Sequence, residues 1–134
     1  MKSVTAKPRI TITAQDHEKL SNLARAAMNS MPDVAATLSG ELDRARVVAD
    51  GRDPGEVVCM GSTVTFRDDT TGREQTVTLV YPDQSDIAKG RISVLTPIGT
   101  ALIGLAVGQS IDWETRTGET KQLTVLAVHP PAHG

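Results

Sequence analysis

One cysteine, three histidines and one adjacent pair of aspartates are the side chains on which reaction chemistry would be built in this chain. Cys59 lies in "VVCMGS" with no charged neighbour to lower its pKa. A thiol in that setting behaves as a small buried hydrophobe rather than a nucleophile. His17 falls on the expected surface of a helix, and His129 and His133 flank "PPA" near the end of the sequence. His129 and His133 are the one His-x₃-His spacing, but no further His or Cys lies near them in the sequence and no Cys/His cluster exists, so no zinc site is expected. Asp68 and Asp69 sit in "RDDTTGRE", where turn formation explains them better than paired-carboxylate catalysis. "ELDRAR", starting at Glu41, reads as the solvated outer face of a helix. A G-x-S-x-G elbow and a Walker loop are both absent. These residues point away from an enzyme, and no catalytic residue, cofactor or metal is expected.

Composition narrows the partners. A length of 134 residues suits one ordinary domain, or a small domain with an appendage. The net charge of −2 argues against nucleic acid as the main partner, because phosphate binding needs a basic patch. No direct sequence-specific nucleic-acid binding is expected, and any effect on DNA would be indirect. The lack of a Lys/Arg run argues against an anionic membrane surface. One cysteine permits no intramolecular disulfide, which fits a reducing cytoplasm. The opening "MKSVTAKPRITITAQD" lacks the apolar core of a signal peptide. No window holds the ~18 apolar residues that a membrane span needs. A cytoplasmic monomer is the expectation.

The elements that would position a site fall into two zones. Residues 14–50 are rich in Ala, Leu, Arg and Glu, and residues 57–129 in Val, Thr, Ile and Gly. "ADGRDPGE" between them carries turn and linker residues. In the first zone, "TAQDHEKLSNLARAAMNSM" predicts a helix capped by Thr13, with an apolar stripe of Leu20, Leu23, Ala24, Ala27, Met28 and Met31. "PDVAATLSGELDRARVVA" predicts a second helix with the stripe Val34, Leu38, Leu42 and Ala45. So short a connection makes the two an antiparallel helical hairpin with arms of ~16 residues, or ~24 Å. "RITIT" before them reads as a short strand.

The second zone alternates as strands do. "STVTFRD" and "REQTVTLVYP" form one hairpin, "GRISVLT" a further strand, and "QSIDWET" and "KQLTVLAVH" another hairpin. One solvated face implies an antiparallel sheet. Within this zone, "TPIGTALIGLAVGQ" reads as a short helix that plugs the open face of the sheet. Thr96 is the N-cap and Pro97 the first helical residue, with Ile98, Ala101 and Leu102 on one face and Gly104 closing the helix. The expected architecture is α+β, with residues 1–50 as a short coiled-coil hairpin, 51–56 as a linker and 57–134 as the sheet domain.

The pattern "GSTVTF…VTLVYP…ISVLTPIGTALIGL.VG.SIDWE…LTVLAV" behind a helical hairpin resembles the Rnk family, described as regulators of nucleoside diphosphate kinase and related to the transcription elongation factors GreA and GreB. Its most specific parts are "ELDRA", "TLVYP" and "ISVLTPIGTALIGL". The resemblance implies an FKBP-like C-terminal sheet domain and binding to bacterial RNA polymerase near its secondary channel. Gre factors dock the sheet domain at the channel rim. They send a long hairpin inward, whose acidic tip helps place a catalytic magnesium for transcript cleavage. Here the tip is Asn29, Ser30, Met31, Pro32 and Asp33, with Asp33 its one acid. Short arms and a single carboxylate imply docking without cleavage, in competition with Gre factors. In those factors an acid precedes a Ser-Pro at the start of the short helix. The matching residues here are Leu95, Thr96 and Pro97. The resemblance therefore implies a polymerase contact made by Leu95, Thr96, Pro97, Ile98, Gly99 and Thr100, with Leu95 an exposed aliphatic side chain.

Two rival readings accompany this one. The family name suggests direct binding to another protein such as nucleoside diphosphate kinase, set against an effect on kinase levels through transcription. The FKBP-like fold suggests a peptidyl-prolyl isomerase, but fold alone does not carry function. Phe66, Tyr81 and Trp113 are too few aromatics for a proline pocket.

Overall fold

The computed structural model describes residues 10–49, 57–115 and 117–129. The expected linker 51–56 and the tail with His133 lie outside the described residues. Strand β1 (Thr11–Thr13) runs directly into helix α1 (Ala14–Ala27). Thr13 ends the one and caps the other, its hydroxyl accepting from the Asp16 amide at 3.3 Å. Helix α2 (Pro32–Asp43) opens on a proline, whose missing N–H is an orphan there anyway.

α2 stops at Asp43, short of the expected Ala49. Residues Arg46–Val48 form strand β2 instead, parallel to β1, with Ile12 opposite Val47. Val47 and Val48 are β-branched and favour extended backbone, and β1 supplies the ladder partner. The two helices run in opposite directions. His17, near the start of α1, donates from Nε2 to the carbonyl of Leu42, near the end of α2, at 3.1 Å. His17 is therefore half-buried and engaged, not free on a helix surface. With 14 and 12 residues the arms are about 21 and 18 Å long, shorter than expected.

Leu20, Ala24 and Ala27 of α1 are buried with Ala35, Leu38 and Leu42 of α2. Met28 and Met31 leave the expected stripe and are 46% and 36% exposed, because they lie in the connection beyond the last turn of α1. Glu41 departs the other way. Expected on a solvated face, it is only 2% exposed and pairs with Arg44, one turn along. α2 contacts α3 as well as α1, so two of its faces are covered. A carboxylate buried between them needs such a partner.

The sheet contains β3 (Thr63–Asp68), β4 (Glu74–Val80), β5 (Arg91–Ser93), β6 (Ser110–Glu114) and β7 (Thr120–His129), in the order β5-β4-β3-β7-β6. It is mixed, not purely antiparallel, because β5 lies parallel to β4. Residues 81–90 make two 3₁₀ turns, Pro82–Gln84 and Ile87–Lys89. These carry the chain back to the same end of the sheet, so no hairpin closes there. Inward positions Val64, Phe66, Val77, Leu79, Leu123 and Val125 are buried. On the other face, Thr63 pairs its hydroxyl with Thr78 at 3.1 Å and Thr65 with Thr76 at 2.9 Å. The β3–β7 register shifts between Thr65 and Phe66, passing over Leu126, which marks a bulge.

Helix α3 (Pro97–Leu102) lies between α2 and β6, with Ala101 and Leu102 buried. Gly104 closes it at φ 81°, against Ile10. The buried side chains form one contiguous cluster, joining Leu20 and Leu38 of the helices to Phe66, Leu79 and Leu123 of the sheet. Helices and sheet therefore share a single core.

Candidate partner-binding surface

The corner between β5 and α3 is held by a tight set of local hydrogen bonds. The Thr96 hydroxyl accepts from the Gly99 amide at 3.0 Å and donates to the Ser93 carbonyl at 2.8 Å. The Ser93 hydroxyl accepts from the Leu95 amide at 2.9 Å, and Thr100 donates to the Pro97 carbonyl at 3.0 Å. Gly99 is required by close approach. A Cβ there would collide with the Ser93 carbonyl oxygen and lie 2.9 Å from the Val94 Cα.

This packing divides the six expected contact residues. Leu95 is 7% exposed and belongs to the core, contrary to the expectation of an exposed aliphatic side chain. It follows buried Val94 in a bend that has left the sheet, so strand alternation no longer turns it outward. Gly99 and Thr100 are buried too. Thr96, Pro97 and Ile98 are half-buried, and Ile98 packs its inner side on the core. Only these three offer side-chain surface at the corner.

The connection between the helices is open. Asn29, Ser30, Met31, Pro32 and Asp33 are all exposed. Among the described residues, no three His, Cys, Asp or Glu side chains gather as a metal-ligand set. Asp33 and Pro97, far apart in sequence, nevertheless line the same open groove of about 680 Å³, together with Val34, Ala101 and Trp113. Asp33, Glu41, Asp112 and Glu114 are also among its lining residues, and among the described residues no Lys, Arg or His is. No sequence pattern links these positions. The acidic character follows from α2 and the edge strand β6 lining the groove from either side of α3.

The remaining chemical candidates have structural settings. Cys59 is half-buried, less enclosed than expected, and its Sγ lies 3.8 Å from the Val57 carbonyl. Asp68 accepts from the Thr70 amide at 2.9 Å within the turn. Asp69 accepts from the Thr124 hydroxyl at 2.6 Å and from Arg67 Nε at 2.7 Å. The Thr124 hydrogen bond chiefly holds the Asp69 carboxyl below the usual range, and Arg67 adds to it against the opposing effect of burial. Burial, with a smaller effect of the Asp16 charge, pushes the Tyr81 phenol up to about 12. Among the described residues, its hydroxyl has no hydrogen-bond partner.

Two family models match the chain: "Rnk N-terminus" over residues 8–48 and "Transcription elongation factor, GreA/GreB, C-term" over residues 53–130. The regulator of nucleoside diphosphate kinase of Escherichia coli K12 is 37% identical over 131 residues, covering 96% of both chains. The transcription elongation factor GreA of Beijerinckia indica is 31% identical over 120 residues, covering 84% of this chain and 76% of its own. Among solved structures, a GreA/GreB elongation factor from Nitrosomonas europaea shares 39% identity with a TM-score of 0.71, covering 92% of this chain and all of that one. These relatives are named as a regulator and as elongation factors, not as enzymes. Among the described residues, no helix is long and apolar enough to cross a membrane.

Proposed function

We propose a function on the premise that this chain belongs to the Rnk family of GreA/GreB-related transcription regulators: it binds bacterial RNA polymerase near the secondary-channel rim, without enzymatic activity. In this reading the FKBP-like sheet unit, residues 57–134, docks, and the helical hairpin of residues 1–50 stands beside it across the linker 51–56. The contact is made by the edge of α3, with Pro97 and Ile98 as its apolar centre and Thr96 beside them. Leu95, Gly99 and Thr100 act from behind, by holding that edge in place.

The observation that carries the proposal is the presentation of Pro97 and Ile98. Both keep partial exposure on a corner fixed by the Thr96, Ser93 and Gly99 hydrogen bonds. A rigid apolar edge binds with little ordering cost. Cleavage stimulation is not part of the function. Asp33 is the one acid of the tip, and the arms reach about 21 and 18 Å. The protein then competes with Gre factors for the rim, and kinase levels change through transcription.

Competition on stalled bacterial elongation complexes tests this. GreB is added, transcript cleavage is followed, and this protein is titrated in. Saturable suppression, with no cleavage by the protein alone, is the expected result. Unaffected cleavage at large excess would remove the polymerase reading. A pull-down of purified polymerase against purified nucleoside diphosphate kinase would then decide whether the kinase is the direct partner.

A further inference from the structure

We infer that the groove between the helix connection and β6 docks an extended, cationic polypeptide segment of a partner, which adds as a strand to the free edge of β6.

The edge is available. Among the described residues, β6 is the last strand of its sheet and pairs with β7 alone. Val125 donates to the Gln109 carbonyl at 3.0 Å and Thr115 to the Glu119 carbonyl at 2.8 Å. Ladder bonds alternate in an antiparallel pair, so Ile111 and Trp113 turn their backbone groups toward β7. Asp112 and Glu114 turn theirs outward. Among the described residues, no backbone bond outside the β6–β7 ladder reaches either one. An outward row of unused N–H and C=O groups is a template for another strand.

The groove suits a side chain from such a strand. Its volume of about 680 Å³ lies within the range of ligand-holding clefts. Pro32, Val34, Pro97, Ala101 and Trp113 supply apolar wall. The charge decides the kind of occupant. Arg44 pairs with Glu41, but Asp33, Asp112 and Glu114 are exposed acids, Asp112 accepting only from Gln122 at 3.3 Å, with no basic side chain among the described lining residues. Lys or Arg at alternate positions of an incoming strand meets Asp112 and Glu114, the residues between them turn toward Trp113 and the groove, and an acidic strand is repelled. A second copy of β6 is disfavoured, because it would set Asp112 and Glu114 against their own kind across the pair. A nucleic-acid strand is disfavoured by the same carboxylates.

Trp113 is the one tryptophan of the chain and lines the groove, so its emission reports occupancy directly. The probe is a blocked peptide of alternating Val and Arg, roughly seven residues long, enough to overrun the 5 residues of β6. Two controls accompany it: the same peptide with Glu for Arg, and the Arg peptide with alternate backbone nitrogens methylated. The expected result is a saturable emission change with the Arg peptide and binding weaker by about tenfold or more for both controls. Asp112→Lys with Glu114→Lys reverses the preference between the Arg and Glu peptides. Both side chains are exposed, so an unchanged melting temperature shows that the fold is kept. No saturable change with the Arg peptide overturns the inference, leaving the acids as guards against edge pairing. Equal binding of the methylated peptide overturns strand addition, and equal binding of the Glu peptide overturns the role of charge. The experiment uses no polymerase, so its failure leaves the polymerase reading standing.

Discussion

The same substitution, Gly→Ala, is expected to have opposite signs at two helical positions. Gly40 lies within α2, exposed, and an added Cβ there meets nothing within 4 Å. Alanine gains about 0.8–1.0 kcal/mol over glycine in a helix interior, largely from the lower entropy of its unfolded chain. Gly40→Ala should therefore stabilise by up to about 1 kcal/mol. Gly99 also lies in a helix, so propensity alone predicts the same gain. Its Cβ would, however, strike the Ser93 carbonyl oxygen, and stand 2.8 Å from Thr96 Oγ1 and 2.9 Å from the Val94 Cα. Two of these neighbours are backbone and cannot swing aside. Thr96 is itself fixed as cap and donor. Overpacking costs about 1–3 kcal/mol through the side-chain and backbone shifts it forces. Loss of the cap adds about 1 kcal/mol. The clash wins, and Gly99→Ala should destabilise by about 1–3 kcal/mol net. Urea unfolding monitored by Trp113 emission measures both variants against the wild type. The midpoint should rise for Gly40→Ala and fall for Gly99→Ala, with the slope unchanged. A midpoint for Gly99→Ala at or above that of the wild type would refute the packing of the α3 corner. The placement of Pro97 and Ile98 on a rigid edge would fall with it.

Two further predictions separate core from surface and neutral from ionised. Leu95→Ala should cost about 2–4 kcal/mol because the side chain is 7% exposed within the core cluster, which lowers the melting temperature by roughly 6–15 °C. Pro97→Ala should change stability by less than about 1 kcal/mol yet weaken suppression of GreB-stimulated cleavage, as measured in the same competition assay. Tyr81 is the only tyrosine, so phenolate absorbance follows it alone, and its midpoint should lie near pH 12, above the ordinary value of 10.0. Because the folded value is raised, its contribution to stability is complete below about pH 10 and is lost as pH rises toward 12. Across that interval the melting temperature of the wild type should fall relative to that of Tyr81→Phe, which has no phenol to ionise.

The elements with strong local signals were legible in the sequence. Thr13 and Thr96 cap their helices as their positions predict, Pro97 opens α3, and Gly104 closes it in the left-handed region. Each is a contact between residues three or so apart, so the sequence contains it whole. What local signals missed was set by distant partners. Arg46–Val48 continues a charge and alanine pattern that suits a helix, but β1 lies beside it and captures it as a strand. β5 was legible as a strand but not as a parallel one, since its direction depends on how residues 81–90 turn. Glu41 and Leu95 were misplaced in opposite senses. A carboxylate expected in water is covered by the approach of α3 to α2, and an apolar residue expected outside is drawn into the core by a bend.

The same long-range packing bears on the hairpin's reach more strongly than its length does. A hairpin joined to a sheet only by a linker would be free to swing its tip toward a distant site. Here Leu20, Leu38 and Leu42 of the helices share one buried cluster with Leu79, Leu102 and Leu123. Swinging the hairpin away would expose several of these at once, at about 1.5–3 kcal/mol for each side chain returned to water. The carboxylate of Glu41 would be uncovered with them. The tip meanwhile stands beside β6, where Asp33 shares a groove with Pro97 and Trp113. Lengthening the arms alone would not free the tip, because the orientation is fixed at the base by the β1–β2 pairing and along the side by α3. An acid grafted next to Asp33 would add charge to the groove without giving it reach. Such a variant should still suppress GreB-stimulated cleavage and produce none of its own. Cleavage by that variant, measured on the same stalled complexes, would show that the hairpin leaves the core when the protein docks.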